Sequence, residues 1–302
     1  MRIGLLALSL ALPAPIWAGE TAAFLKIGVG ARAIGMGGAY TAIANDVNAI
    51  AWNPAGLSNI PKRELGAMHA ELAADTHYDF LGYAQPTQYG IFAAAANHLS
   101  QGSLEGRDAA GKPTSGFSAA DTVLSFGYAK RFASSFQLGG NVKYIQSSIA
   151  NASAQTFAVD IGGMKELSLR GPGVPMVGCA VQNLGPGMKF QDETSALPLT
   201  LAAGLGYRLP AGLILALDYK HRPNSHLSEV NVGTEYAIFP AVSLRMGYGS
   251  ARALATGASG IATLNGVAMG LGLKAYGYNL DYSMTPFGEL GNVQRLSLST
   301  RF

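Results

Sequence analysis

Cysteine is nearly absent from this sequence: Cys179 stands alone, so no internal disulfide can form and a disulfide-stapled secreted scaffold is excluded. Its setting, Val177-Gly-Cys-Ala-Val181, reads as a small apolar filler on a strand. Charge is scarce as well. Charged residues make up 13% of the chain against about 25% in ordinary soluble domains. The net charge of +3 comes from scattered basic residues, which leaves no electrostatic footprint for nucleic acid. Long hydrophobic runs are missing too. No stretch after the N-terminus reaches the roughly 20 apolar residues of a spanning helix, although mean hydropathy is +0.20. Something other than helices must hide that apolarity.

Signatures of chemistry are also missing. His69, His77, His98, His221 and His226 show no metal-binding spacing, and the lone cysteine supplies no Cys/His set, so no metal is expected. Gly-x-Ser-x-Gly does not occur, and the Ser-rich stretch near Thr114 to Ser118 has no adjacent base. The Gly-rich run from Gly28 to Gly38 is not spaced as G-x-G-x-x-G, and no strand of a βαβ unit precedes it. No cofactor and no enzymatic activity are expected.

What is present begins with Arg2, an apolar stretch from Ile3 to Leu12, and a Pro13, Pro15 and Ala18 region, which is the pattern of a secretory signal peptide cleaved after Ala18. The expected organisation is a signal peptide over residues 1–18, an N-terminal hatch over 19–62, and a barrel over 63–302. Glycine stands at 39 residues and tyrosine at 13, which suits a barrel wall facing lipid with aromatic girdles at its ends.

From about Glu64 onward the dominant signal is alternation with period two, which sends successive side chains to opposite faces of a strand. Leu199, Leu201, Ala203, Leu205, Tyr207 and Leu209 share one face, and Thr200, Ala202, Gly204, Gly206 and Arg208 the other. The same two-sidedness recurs through Leu213–Lys220, Val230–Ile238, Val242–Tyr248 and Tyr276–Tyr282. The spacing predicts about fourteen strands, starting near residues 64, 77, 88, 121, 135, 154, 173, 198, 212, 227, 241, 263, 276 and 291. Glu64 to Leu72 and His77 to Pro86 are the least regular.

Connection lengths alternate as bacterial barrels require. Tight joins fall at Pro86-Thr87, Ala133-Ser134, Pro210-Ala211-Gly212, Phe239-Pro240 and around Ala275, and a longer one at Leu167 to Pro172. Gln101 to Ala120, Gly185 to Leu197, Arg222 to His226 and Ser250 to Ala262 are assigned to the outside. Lys143, Asp160, Arg208, Asp218, Lys220, Glu235, Arg245, Lys274, Asp281, Arg295 and Arg301 are expected to face the lumen and to pair there. The last strand alternates Leu296, Leu298, Thr300 and Phe302 with Arg295, Ser297, Ser299 and Arg301, and stops at the aromatic residue. An amphipathic final strand ending in Phe resembles the signal read by the barrel-assembly machinery. The fold class is therefore all-β, a closed transmembrane antiparallel barrel.

The segment before the barrel carries a resemblance. Gly30-Ala-Arg-Ala-Ile-Gly-Met-Gly-Gly-Ala39, Asn45-Asp46 and Asn53-Pro-Ala-Gly56 look like the N-terminal signature of the PorV/PorQ group of barrels (UPF0164 type), within the wider FadL-like superfamily. The resemblance implies a bacterial outer-membrane location and a hatch inside a fourteen-stranded barrel. Its gating residues would be Arg32, Gly35, Met36, Gly37, Asn45, Asp46, Asn53, Pro54 and Gly56. Two jobs are implied: a passive channel for small hydrophobic compounds, or a non-transporting partner of type IX secretion that anchors or shuttles secreted proteins. The chain is shorter than the fatty-acid transporters, with modest outer loops, which speaks against fatty-acid uptake. The partners implied are outer-membrane lipid, the assembly machinery, and either a small hydrophobic ligand or secretion-system proteins.

Overall fold

The computed structural model describes residues 20–73, 75–107, 112–132, 135–190, 192–250, 266–286 and 292–302. The expected signal peptide, the Ala133-Ser134 turn, most of the Ser250 to Ala262 connection and the strand start near residue 263 lie outside the described residues.

The alternating stretches form β1 (Glu64–Leu72), β2 (Thr76–Thr87), β3 (Gly90–Arg107), β4 (Pro113–Phe132), β5 (Phe136–Ile149), β6 (Ala152–Glu166) and β7 (Val174–Leu184). After a small hairpin of β8 (Met188–Phe190) and β9 (Glu193–Ser195), the wall resumes with β10 (Thr200–Arg208), β11 (Leu213–Arg222) and β12 (Leu227–Phe239). It ends with β13 (Val242–Gly249), β14 (Val267–Ala275), β15 (Tyr278–Pro286) and β16 (Asn292–Arg301). Fourteen of these close into one barrel in the order β1-β16-β15-β14-β13-β12-β11-β10-β7-β6-β5-β4-β3-β2, and β8–β9 stand apart as a two-stranded sheet. Every pairing in the wall is antiparallel, as consecutive strands joined by short connections must be.

The last strand closes the cylinder on the first. β16 runs against β1 from Glu64↔Arg301 to Glu71↔Gln294, and the Phe302 amide donates to the Arg63 carbonyl at 3.0 Å. Closure removes the sheet edges, whose bare amides and carbonyls would find no partner in lipid. The side chains sort accordingly. Leu205, Leu215, Val232, Met246, Leu271 and Leu298 are exposed on the outside, while Ala202, Ala216, Asn231, Arg245, Ala268 and Ser297 on the opposite faces are buried. An exposed apolar surface on this scale is a lipid-facing belt, far beyond the patches soluble monomers tolerate. Among the described residues no helix is long and apolar enough to cross a membrane.

Two expectations need correction. Gln101 to Ala120, expected as an outer connection, is mostly strand: β3 and β4 continue pairing through Leu104↔Phe117 to Arg107↔Pro113, with register shifts on the way. Ladder hydrogen bonds need only backbone, so this Gly- and Ser-rich stretch pairs despite its turn-like composition, and Pro113 sits at a strand start where no amide is needed. Glu64 to Leu72, irregular by sequence, alternates strictly between buried and exposed positions up to Glu71; the irregularity comes from polar residues on its outer face. The lumenal charges lie on the inward face as expected. Lys143, Asp160, Asp218, Lys220, Glu235, Arg245 and Arg295 are buried there. Arg208, Lys274 and Arg301 share that face but lie at strand ends where it opens to solvent, with Arg208 paired to Glu166 at 3.1 Å and Arg301 to Glu64 at 2.7 Å.

Candidate functional site

Residues 20–63 form no strand of the wall. Short turns replace it: a 3₁₀ turn at Ala23–Lys26, α1 (Ala31–Gly35), α2 (Ala49–Trp52) and a second 3₁₀ turn at Pro54–Asn59. Gly30, Gly37 and Gly38 take positive φ and interrupt any long helix in this segment, and Pro54 starts its turn where the missing amide costs nothing. Val29, Ile34, Met36, Tyr40, Val47, Ile50 and Leu57 are buried and pack with inward side chains such as Met68, Phe80 and Ala129 of the wall. The segment therefore sits inside the barrel.

Its contacts run round the circumference. The Ala31 amide donates to Ser297 on β16, and the Tyr40 and Thr41 amides donate to the Asp218 carboxylate on β11, both at 2.9 Å. Asn141 of β5 donates to the Ile50 carbonyl, Gln182 of β7 donates to the Ala51 and Trp52 carbonyls at 2.8 Å, and Lys220 donates to the Gly38 carbonyl at 2.8 Å. Where the segment's backbone lies flush against the wall, the wall has glycine. A Cβ on Gly139 would lie 2.5 Å from the Pro54 carbonyl group, and one on Gly204 would lie 2.9 Å from the Ala42 amide. Gly162, Gly178, Gly233 and Gly247 likewise face Asn53, Thr41, Met36 and Gly37 with no room for a side chain.

Charge holds one side of the segment. Arg32 reaches Glu235 on β12 with two donors, at 2.7 and 3.0 Å, and also bonds the Tyr40 hydroxyl, Asn45 and Asp46. Glu235 accepts from Arg245 at 2.6 Å, and Arg245 reaches on to Asp281 at 2.7 Å. The chain Asp46–Arg32–Glu235–Arg245–Asp281 thus alternates sign across the segment–wall boundary. Burial alone would lower the Arg32 guanidinium, but Glu235, with Tyr40 and Asp46 behind it, outweighs that and holds it well above its ordinary value. Burial pushes the Tyr40 phenol well up, so it stays a neutral donor to Asp46 at 2.6 Å. Neutral hydrogen bonds hold the opposite side. Asn53 is fully buried, donates to the Thr41 carbonyl at 2.8 Å and the Gly163 carbonyl at 3.2 Å, and accepts from the Ala55 amide.

The sequence-predicted residues divide into two groups. Arg32, Asn45 and Asp46 meet in the charge chain. Gly35 faces Gly270, and Met36 and Gly37, the latter at φ 69°, lie against β12 and β13; Asn53 and Pro54 abut β5 and β6. Gly56 packs within the segment, against Ala44. Leu296, Leu298 and Phe302 are instead exposed on the outside of the wall, with Thr300 half-buried beside them, and none joins the lumenal group. Sequence reasoning missed Tyr40, Thr41 and Trp52 as site residues, together with the flush glycines. The glycines left a trace, recurring on the small-residue face of the strands; the aromatic residues and Thr41 left none.

Above the segment, at the end of the barrel where the longer connections gather, lies a cavity of about 850 Å³. Gly28, Ile34, Ile50 and Trp52 lie along it on the segment's side, and Phe24, Leu99, Val123 and Phe190 add further apolar surface. Lys143, Asn183, Lys220 and Glu229 supply polar groups, and the Lys220 ammonium stands 4.5 Å from the Trp52 ring centre. On the other side of the segment, the cavity beside Ile43 and Asn45 measures only about 10 Å³. Among the described residues no group of three His, Cys, Asp or Glu side chains converges to hold a metal ion.

Residues 17–158 match the model of an uncharacterised protein family, UPF0164. No curated protein matches the sequence. Among solved structures, the fold is similar to the Pseudomonas putida toluene transporter TodX, at 14% identity over 90% of this chain and 96% of that one, with a TM-score of 0.60. The Ralstonia pickettii toluene transporter TbuX aligns over 91% of this chain and 98% of its own, at 12% identity and a TM-score of 0.62. A Pseudomonas aeruginosa FadL homologue covers the same shares at 11% identity and a TM-score of 0.53.

Proposed function

We propose that this UPF0164-type barrel of FadL-like fold is a passive outer-membrane channel for small hydrophobic compounds, gated by its N-terminal segment acting as a hatch. The observation that carries the reading is a mostly apolar cavity whose floor is made by residues of the N-terminal segment. A small apolar or amphipathic compound fits the volume, lies in the range of ligand pockets, and would rest on Trp52 and Ile50. To continue, it must displace the segment. The toluene transporters named above share the barrel architecture, which supports an apolar cargo without choosing one.

Asn53 and Pro54 are where the segment meets β5 and β6 through neutral contacts, so they are the place to loosen it. Changing Asn53→Ala removes three hydrogen bonds from a fully buried amide and leaves the Gly163 carbonyl without that donor, at a cost of about 1–3 kcal/mol per unsatisfied group. In liposomes, the Asn53→Ala, Pro54→Ala protein should take up an apolar fluorescent probe at a different rate from wild type, and both should exceed empty vesicles. Equal uptake in all three would sink the proposal.

A further inference from the structure

Among the described residues the outside of the wall is largely apolar, and a cluster of histidines and acids interrupts it beside the seam where the barrel closes. On β1 and β2, His69 Nδ1 and Asp79 Oδ1 meet at 2.7 Å with about half of each side chain exposed. The His77 ring stacks on His69 with centres 5.8 Å apart, and its Nδ1 is buried without a hydrogen bond among the described residues. On β3, His98 shares a 3.0 Å hydrogen bond with Thr122. Next to this knot is a shallow outward depression of about 440 Å³ between Ala67 and Ala96 on one level and the larger Leu81, Leu296 and Leu298.

The belt also narrows here. β12 carries Val230, Val232, Tyr236 and Ile238 outward, spanning about 27 Å of strand at about 3.4 Å per residue. β1 carries only Leu65 and Ala67 before His69, and β16 only Leu296 and Leu298 between Gln294 and Thr300. Charged groups on a lipid face are destabilising in proportion to their depth, and too short an apolar belt is relieved by thinning the bilayer or by association. Small residues at the same place let another protein approach closely.

We propose that the outer face of β1–β3 is the contact between two copies of this chain, standing side by side in the membrane about a two-fold axis. The patch is self-complementary. It holds the bases His69 and His77 on the same levels as the acids Asp79 and Glu71 across β1 and β2, so a two-fold axis along the membrane normal between these two strands sets one copy's acids against the other's bases, as an isologous interface requires. Because Leu298, Ala67, Leu81 and Ala96 share one level on adjacent strands, the same rotation sets Leu81 and Leu298 of one copy opposite Ala67 and Ala96 of the other. Lipid tails would satisfy the leucines but leave the His–Asp knot facing hydrocarbon.

The native thiol provides the control, because Cys179 is exposed on β7, which the closed order places six strands from β1, almost across the barrel. The full chain would be reconstituted into phosphatidylcholine vesicles and treated with a copper–phenanthroline oxidant. Ala67→Cys in a Cys179→Ser background should give a disulfide-linked dimer, and the wild-type chain should give little. Adding His69→Leu and Asp79→Leu should reduce the dimer about tenfold, the effect of losing about 1.4 kcal/mol at the interface. Ala96→Cys serves as a second probe if Ala67→Cys does not give the β-sheet spectrum by circular dichroism. Equal yields from the interface cysteines and from Cys179, as random collision in lipid would produce, would overturn the proposal, as would a purely monomeric mass in detergent by light scattering.

Discussion

Replacing Arg32 with alanine should destabilise the folded protein by about 3–5 kcal/mol, the usual loss when one member of a buried ion pair is removed and its partner is left behind. Three features place it in that range. The side chain is only 14% exposed, Glu235 is 12% exposed, and the contact is a two-point fork. Removing the guanidinium also takes a donor away from the Tyr40 hydroxyl and Asn45 and a positive charge away from Asp46. Glu235 would keep Arg245, but Arg245 is already shared with Asp281. Arg32→Lys should fall between, since an ammonium restores charge but not the planar fork. Arg32→Met combined with Glu235→Met should cost less than the two single changes added together, because neither charge is then orphaned. The readout is the urea midpoint of tertiary unfolding in detergent, followed by the fluorescence of Trp52, the one tryptophan in residues 19–302. A single-residue loss under about 1 kcal/mol would mean that water reaches the cluster and that the charge chain does not fasten the segment.

The barrel itself was legible because its physics has a short period. Lipid outside and a crowded lumen inside demand opposite side chains at successive positions, so Leu199 to Leu209 or Val230 to Ile238 announce both strand and face. The lumenal charges were legible by the same parity: Asp218, Glu235 and Arg245 could be placed inward without knowing their partners. The partners were not legible. Arg32 and Glu235 are far apart in sequence, and no periodic rule joins a residue in a non-repeating segment to one on a distant strand. Tyr40 and Thr41 aim backbone amides at Asp218, a role any residue with an amide could fill, and their hydroxyls bond Asp46 and Asp218 in a segment with no repeat to announce them. The extension of β3 and β4 past Gln101 was hidden for the opposite reason, since backbone pairing held a sequence whose composition argues for a turn.

Neighbouring glycines on β5 give the sharpest test of whether the segment is seated against the wall. Gly139 faces inward, where a Cβ would lie 2.5 Å from the Pro54 carbon and carbonyl oxygen and 2.6 Å from the Ala55 amide, all backbone atoms that cannot rotate away. Gly140 faces outward, and a Cβ there meets only the Asp160 carbonyl oxygen within 4 Å, at 3.3 Å. Gly139→Leu therefore has to push the Asn53–Ala55 stretch off β5, whereas Gly140→Leu adds one more apolar side chain to the lipid belt. Overpacking of this kind costs about 1–3 kcal/mol, which shifts the population of the unseated segment by about 5- to 150-fold. Single-channel conductance across a planar bilayer should rise for Gly139→Leu and stay at the wild-type level for Gly140→Leu. Protease cleavage within residues 20–62 should increase in the same order, while circular dichroism remains that of a closed barrel for both. If both leucine variants conduct like wild type and resist protease equally, the segment yields elsewhere without leaving the lumen, and displacement at Asn53 and Pro54 is not how the barrel opens. If Gly140→Leu alone opens it, the inward and outward faces of β5 have been assigned the wrong way round.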